Sequence, residues 1–297
     1  MSAPRIFDRP LVRRRLARAK ATGYAGFLLR RAVDDLADRL AAVLRPFPLA
    51  LDIGTPTAVM AERLRSSGRA GAVVRLAPGP EADPAGLTVV GDEEALPFGS
   101  ERFDLAVSLL ALHAVNDLPG ALIQIRRALK PDGLFLGCLL GGDTLTELRQ
   151  AFVQGESAAE GGSSPRVAPF ADLRDLGNLL GRAGFALPVT DIDSLTVRYP
   201  DPFALMRDLR AMGFANPLHD RRRTPLRRET LLRTAGAYAE RFADGDGRVR
   251  ATFDLVWLSG WAPHESQQKP LRPGSARTRL ADALGVPEQS AGEKAGG

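Results

Sequence analysis

The sequence predicts an α/β fold in which a mainly parallel sheet carries helices on both faces. Apolar runs of strand length alternate with longer segments whose apolar residues recur at helical spacing. Because parallel strands need a crossover connection, usually a helix, this alternation is typical of a parallel sheet with right-handed crossovers. The length of 297 residues and the hydrophobic content of 44% supply a core large enough for such a sheet.

The first half of the chain supplies four strands and their connections. Amphipathic spacing predicts a helix over 24–45, and another helix begins at Met60. Each apolar run in this half is followed by glycine, proline or polar residues, which end strands. The predicted strands are 49–53, 71–76, 87–90 and 103–112.

The second half begins with a helix over 119–133, which we expect to stop at Pro131 and Gly133. A fifth strand follows at 134–140. The segment 156–169 is rich in Gly, Ser and Pro, which predicts a loop. The remaining predicted elements are helices over 144–152 and 170–185, a strand over 195–200, helices near 202–212 and 229–243, and a last strand over 249–261.

Five segments follow from these elements and from the composition of the chain ends. They are basic and amphipathic N-terminal helices (1–45), an α/β core (46–199), a helical insertion before the last strand (200–245), the final strand with a C-terminal segment (246–285), and a disordered tail (286–297).

The charge balance is basic, with a net charge of +5 and a pI near 9.8. Arginines cluster around 13–20 and 221–228, where they could meet an acidic partner, an anionic membrane or nucleic acid, or form a solvated face. No aromatic residues interleave either cluster, which argues against specific nucleic-acid binding. The single Cys138 fits a reducing compartment, and no apolar run reaches about 18 residues. We therefore expect a cytoplasmic protein, with the basic N-terminus retained in the mature chain.

Four predicted strands end in polar or turn residues. In an open parallel sheet, ligands bind at the carboxyl ends of the strands, so these residues predict one shared site. The four segments are Asp52–Thr55, Ala77–Glu81, Gly91–Glu94 and Ser108–His113.

The region 45–140 resembles the class I methyltransferases, which use S-adenosylmethionine (SAM). The motifs GDEEALPF, FDLAVSLLALH and RALKPDGLFL carry this resemblance. It implies a Rossmann-like sheet of seven strands and SAM as the cofactor, with Asp92 at the position that contacts the adenine amino group. The cofactor-binding residues that it implies are Asp52, Gly54, Thr55, Thr57, Asp92, Glu93 and Leu109.

The first loop departs from the hydrophobic-Asp-x-Gly-x-Gly-x-Gly pattern of these enzymes. Gly54 remains, but Pro56 and Ala58 stand where the other glycines are usual, and proline lacks an N–H donor. At the end of the second strand, Ala77 replaces the acid that usually holds the ribose. Loss of that partner costs about 1.5–3 kcal/mol, which lowers the expected affinity for SAM.

Nearly the whole chain, from about residue 4 to 285, resembles the methyltransferase-fold assembly factors of respiratory complex I. The motifs IFDR, VNDLPGAL, GGDTLTELR, FALMRDLRAMG and WLSGWAPHESQQKP carry this resemblance. It implies hydroxylation of an arginine on the iron–sulfur subunit beside the quinone site, with peripheral contact at the inner membrane. A SAM-dependent methyltransferase acting on a carrier protein or small molecule is one alternative, and a non-catalytic assembly chaperone is another.

His113 is the candidate catalytic residue, because a histidine at the end of the fourth strand faces the expected substrate and is a common general base. A packing or positioning role is the alternative. His264 follows the last strand and either lines the cleft, docks a partner or lies in a surface loop. The three histidines and one cysteine match no zinc or facial-triad iron pattern, so we predict no metal site.

Overall fold

A computed structural model describes residues 5–80, 86–268, 282 and 285–287. Its helices are α1 (Arg9–Thr22), α2 (Phe27–Ala41), α3 (Val59–Ser66), α4 (Leu118–Ala128), α5 (Thr146–Glu160), α6 (Leu173–Arg182), α7 (Pro202–Ala211) and α8 (Arg228–Phe242). Its strands are β1 (Phe47–Ile53), β2 (Ala70–Ala77), β3 (Leu87–Val90), β4 (Phe103–Leu109), β5 (Leu129–Gly141), β6 (Ala186–Tyr199) and β7 (Val249–Trp261).

Within the described residues the strands form one seven-stranded sheet in the order β3-β2-β1-β4-β5-β7-β6. The pairs among β1 to β5 are parallel, whereas β7 runs antiparallel to both β5 and β6. The order reverses between β1 and β4, and a switch point of this kind opens a crevice at the carboxyl ends of the strands. The predicted seven-stranded sheet with helices on both faces is confirmed.

Two apolar clusters cover the two faces of the sheet. One cluster contains residues of α2, α3, α5 and α7, and the other contains residues of α4 and α6. Helix α8 lies against α5 so closely that a Cβ on Gly155 would stand 2.5 Å from the backbone nitrogen of Thr234. Glycine is therefore the residue that lets these two helices approach at this point.

Several predicted boundaries were wrong for local reasons. Helix α4 ends at Ala128 and β5 begins at Leu129, since Pro131 disfavours helical backbone in the residue before it as well as in itself. Helix α5 extends into the predicted loop (156–169) as far as Glu160. It is ended by Gly161, whose φ of +75° forms the usual left-handed cap.

Strand β6 begins at Ala186 rather than 195, because it pairs with β7 along almost its full length. The fourth strand is shorter than predicted. It ends at Leu109, and Leu110 has a left-handed φ of +51° that turns the chain into a 3₁₀ turn at Leu112–Ala114.

Residues up to 263 form one compact unit, and the chain from 264 onward forms a second one. In the second unit, Nδ1 of His264 lies 2.7 Å from Oγ of Ser266 in a local turn. The predicted disordered tail lies mostly outside the described residues, as does Glu81. None of the described helices is long and apolar enough to span a bilayer. The predicted segment boundaries at 46, 200 and 246 stay predictions.

Candidate functional site

A cavity of about 920 Å³ opens at the carboxyl ends of the parallel strands. The loops after β1, β2, β3 and β4 each contribute to its wall, through Gly54, Pro78, Glu93 and Ala111 respectively. Helices α1, α5 and α7 and the segment 213–226 enclose the opposite side. The cavity therefore lies where the sheet topology predicts a ligand site.

The first loop is held by buried side chains that bond to each other. Asp52 and Thr55 are both fully buried, and the Thr55 hydroxyl donates to Oδ1 of Asp52. The same hydroxyl accepts the backbone N–H of Leu109 at 3.3 Å, and Ser108 Oγ donates to the carbonyl of Ile53 at 2.8 Å. Three of the predicted cofactor residues thus join β1 to β4 through contacts within the protein.

Arg75 is a buried site residue that the sequence reasoning missed. It lies on β2 opposite Asp52 in the parallel register, and its side chain is fully buried. Its Nε stands 3.5 Å from Oδ2 of Asp52, and its Nη2 donates to the carbonyl of Thr55 at 2.5 Å. The signal was present as one arginine inside the apolar run GAVVRL. Arg75 compensates the buried charge of Asp52 and holds the first loop through its bond to the carbonyl of Thr55.

Gly54 is the glycine that the first loop needs. Its φ is +68°, and an added Cβ would stand 2.4 Å from Oε1 of Glu93. An L side chain there is strained by its backbone and blocked by this neighbour. Thr57 is half-buried beyond the loop, and Pro56 is buried in it. Glycine is therefore required at position 54 by the left-handed backbone of the loop and by the close approach of Glu93.

The acids after β3 are bonded to α1. Arg9, which is 9% exposed, donates from Nη2 to Oδ1 of Asp92 at 2.9 Å and pairs with Glu93. Its Nε lies 3.7 Å from Glu94, and Arg13 also pairs with Asp92. Burial opposes ionisation of Asp92, but the N–H of Glu94 and the guanidinium of Arg9 outweigh it and lower the pKa of Asp92. Asp92 and Glu93 are thus engaged by Arg9, whose role the sequence reasoning also missed.

The residues just before α1, together with α1 itself, cover one side of the cavity, and we call them its roof. The backbone N–H of Phe7 donates to Oδ1 of Asn116 at 2.8 Å, and Phe7 also bridges to Leu218. Nη1 of Arg221 lies 2.9 Å from Oδ2 of Asp8. These contacts fasten the roof to the segment after β4 and to the insertion.

His113 lines the cavity from the 3₁₀ turn after β4. Its ring lies edge-on to Phe214 with centroids 5.2 Å apart, and near Phe170 at 6.3 Å. Burial, and secondarily the charge of Arg9, lowers the pKa of His113 to about 4, so the ring is neutral at pH 7. Among the described residues, its Nδ1 has no hydrogen-bond partner. His113 is therefore placed to exchange a hydrogen bond with a ligand in the cavity.

The buried carboxylates of α5 are committed to the protein itself. Glu147 accepts from the hydroxyl of Thr252 at 2.6 Å, and Glu156 pairs with Arg166 and Ser164. Within the described part of the chain, no group of three or more His, Cys, Asp or Glu side chains is arranged to hold a metal ion.

The residues around Gly54 fit an adenosyl ligand in position. The cavity reaches all four strand-end loops, and Gly54 lines it directly. The side chains that would bond to the polar groups of this ligand fit less well. Ala77 has no carboxylate for the ribose hydroxyls, and Asp92 and Glu93 already pair with Arg9.

Comparison with known proteins agrees with this architecture. A family model described as a methyltransferase domain matches residues 24–188. The fold also superposes on the YcgJ protein of Bacillus subtilis with a TM-score of 0.54 and 14% identity, covering 79% of this chain and 99% of that one. The likeness confirms the predicted fold class.

The relatives identify the family more closely. "Arginine-hydroxylase NDUFAF5, mitochondrial" of Danio rerio is 41% identical over 93% of this chain and 89% of its own length. The Homo sapiens protein of the same name is 42% identical over 93% and 83%. A malonyl-[acyl-carrier protein] O-methyltransferase of Laribacter hongkongensis is 34% identical over 90% and 94%. The chain belongs to the methyltransferase-domain family and, within it, to the family of the NDUFAF5 arginine-hydroxylases.

Proposed function

We propose that this protein hydroxylates an arginine on a protein subunit of respiratory complex I and so acts as an assembly factor. The observation that carries the proposal is the identity of 41–42% over 93% of the chain to relatives named arginine-hydroxylases. The resemblance of motifs along the whole sequence supports complex I, and its iron–sulfur subunit, as the target.

The cavity supports this function because a large apolar pocket at the strand ends admits a long side chain. SAM is the proposed cofactor, held by the first loop at Gly54 and by the backbone after Leu109, with Asp92 and Glu93 beside it in their pairs with Arg9. When bound, it would supply a sulfonium centre with a transferable methyl group, whereas hydroxylation takes its oxygen atom from a separate oxidant, O2 with a two-electron reductant, and releases the second oxygen atom as water. Asp52, Thr55 and Thr57 would support this loop, and Arg75 would keep the Asp52 carboxylate in place.

His113 is the residue proposed to meet the substrate. It faces the cavity, it is neutral at pH 7, and its Nδ1 has no partner among the described residues. A neutral imidazole in an apolar wall accepts or donates one well-directed hydrogen bond. We assign it the role of orienting the arginine side chain by accepting a guanidinium N–H at Nδ1.

A gene deletion with mass analysis of the iron–sulfur subunit tests the proposal. We expect one target arginine to gain a single oxygen atom in the parent strain and to lack it in the deletion strain. Complementation with His113→Ala should leave the arginine unmodified. His219→Ala is the matched control, because His219 is exposed beside Asp220, and it should restore the oxygen. An arginine of unchanged mass in the deletion strain refutes the hydroxylase proposal.

A second candidate is methyl transfer to a carrier protein or small molecule. The 34% identity over 94% of the length of a malonyl-[acyl-carrier protein] O-methyltransferase favours it, whereas the altered first loop opposes it. A methyl group rather than an oxygen atom on the product would establish this function. The third candidate, a non-catalytic chaperone, predicts that His113→Ala restores complex assembly without any change in mass.

We also infer that the protein works in the cytoplasm, peripherally at the inner membrane where complex I is assembled. The exposed Arg14 and Arg18 of α1 support this placement, because basic helix faces bind anionic lipid. Sedimentation with vesicles of phosphatidylglycerol, compared with vesicles of phosphatidylcholine, tests it. Equal partition into both excludes an electrostatic contact.

A further inference from the structure

The wall of the cavity contains far more positive than negative charge. Among the described lining residues, nine are arginines and one, Glu93, is an acid. The arginines are Arg9, Arg13, Arg15, Arg166, Arg207, Arg210, Arg221, Arg222 and Arg223.

Five of the nine arginines are neutralised within the protein. Arg9 and Arg13 pair with the acids after β3, and Arg221 pairs with Asp8. Arg166 and Arg222 both pair with Glu156. Their charges therefore need no external partner.

The other four have no carboxylate partner among the described residues. Arg207 and Arg210 are exposed and lie three residues apart on α7, so they share one helix face. Arg223 is exposed on the insertion, and Arg15 is half-buried and donates to the carbonyl of Ala215 at 2.7 Å. Because they line the cavity and yet reach solvent, Arg207, Arg210 and Arg223 mark its mouth. We call the four residues Arg15, Arg207, Arg210 and Arg223 the mouth arginines.

Neighbouring guanidinium groups repel the positive charge of Arg15. Burial, followed by the charge of Arg221, lowers the pKa of Arg15, and the charges of Arg18 and Arg14 act in the same direction. A carboxylate placed between guanidinium groups removes this repulsion and accepts charge-assisted hydrogen bonds. The mouth therefore favours an anionic group.

The floor of the cavity is formed by the loops after the parallel strands, including Glu93 and His113. Glu93 is the one acid among the described lining residues, and it pairs with Arg9. Between mouth and floor the wall is apolar, with Leu140, Leu148, Phe152, Phe170, Met206 and Phe214. A ligand that matches this wall carries negative charge at the mouth and a long, partly apolar side chain that reaches the floor.

We propose that the cavity binds a protein segment in which acidic residues flank the arginine that enters it. The flanking carboxylates contact the mouth arginines, and the arginine passes the apolar wall toward Nδ1 of His113. The exposed position of three mouth arginines favours a partner that extends beyond the cavity, since charges at a rim attract and orient a large partner. This inference rests on the proposed function, whose substrate class it narrows.

Fluorescence anisotropy with short labelled peptides tests the inference directly. The probe has a central arginine between aspartate and glutamate residues, and its counterpart has asparagine and glutamine in their place. We expect the acidic peptide to bind at least about tenfold more tightly at an ionic strength of about 0.1 M, because several partly desolvated pairs each add a fraction of a kcal/mol.

Two triple variants with the same change in charge separate the mouth from the protein's overall charge. Arg207→Glu, Arg210→Glu and Arg223→Glu together should weaken the acidic peptide by about tenfold or more. Arg63→Glu, Arg174→Glu and Arg182→Glu are the control, since these exposed arginines do not line the cavity. The control should change the affinity by less than about twofold. Equal weakening by both triples, with unchanged circular dichroism spectra, refutes a specific mouth.

Further binding experiments test other ligands of the cavity and separate this inference from the proposed function. Replacing the central arginine with neutral citrulline should weaken binding, and no change means that the floor does not receive the arginine.

Equal binding of acidic and neutral peptides overturns the inference, even if the deletion strain loses the hydroxylated arginine. If anionic vesicles bind through the mouth arginines and the acidic peptide does not, the mouth is a membrane surface and the inference is wrong. If the acidic peptide binds as expected but no oxygen is added in cells, the docking site stands and the hydroxylase proposal fails.

Discussion

Replacing Arg75 with methionine should destabilise the protein strongly, although Arg75 is remote from any surface. The Nε of Arg75 lies 3.5 Å from Oδ2 of Asp52, and both side chains are 0% exposed. At an effective dielectric constant of about 20, the attraction at this distance is about 5 kcal/mol. Methionine has a similar volume, so the substitution leaves the Asp52 charge buried without this partner and creates little cavity.

Breaking a buried pair by removing one partner costs about 3–5 kcal/mol. We expect the lower value, about 3 kcal/mol, because the Thr55 hydroxyl still donates to Asp52. For a protein of this size, that loss lowers the thermal midpoint by about 6–12 °C. Thermal unfolding followed by circular dichroism and urea unfolding measure the change, with an unchanged m value as the sign that the native fold persists.

The double variant Asp52→Asn with Arg75→Met isolates the pair. Because it removes both charges, it should be less destabilised than the sum of the two single variants. Arg233→Met is the control, since Arg233 lies in an exposed pair with Glu229, and its midpoint should stay close to that of the parent protein. If Arg75→Met is as stable as the parent, or if the two single effects simply add, the buried pair does not hold the first loop and the reasoning is refuted.

Three further changes test separate parts of the structure. Gly54→Ala forces a Cβ to within 2.4 Å of Oε1 of Glu93 at a φ of +68°, so calorimetric titration should show at least about tenfold weaker SAM binding, and equal affinity would contradict the role of this glycine. The pKa of Glu156 is about 2, because bonds from Arg166 and Ser164 outweigh burial, so its stabilisation is full above about pH 4.5 and disappears as the pH falls toward 2. Glu156→Gln should flatten the loss of stability in that acid window, and an unchanged pH profile of unfolding would count against it. Gly155→Val should cost about 1–3 kcal/mol in urea unfolding because the side chain meets the backbone nitrogen of Thr234 at 2.5 Å, whereas the parent stability would mean that α5 and α8 separate freely.

The polar residues at the strand ends could be predicted, because each of them directly follows an apolar run in the sequence. Asp52 and Gly54 follow an apolar run, and the topology of parallel strands brings such ends together at one edge. His113 was likewise expected near the substrate, and it lines the cavity, although it lies in a 3₁₀ turn rather than at the end of a strand. Leu110 makes that difference, since its left-handed backbone conformation is costly for leucine and leaves no trace in hydrophobic periodicity.

The partners of these residues could not be predicted. Arg9 reaches Glu93 across 84 positions in the sequence, and Arg75 meets Asp52 only because β1 and β2 pair in one particular register. A charged side chain shows its sign in the sequence, whereas the carboxylate that compensates it is chosen by packing over long range. That the mouth arginines have no carboxylate partner among the described residues is likewise a property of the folded chain.

The sequence by itself determined the alternation of strands and helices, the family and the edge of the sheet where the site lies, because periodicity, turn residues and motifs act over short spans of chain. Only the tertiary structure decided that α1 roofs the cavity, that Arg9 occupies the acids after β3, and that positive charge gathers at the mouth. Those features depend on the burial and pairing of charges from distant segments. The interaction energies of these charges depend on distances and on a low-dielectric environment that only the folded chain provides.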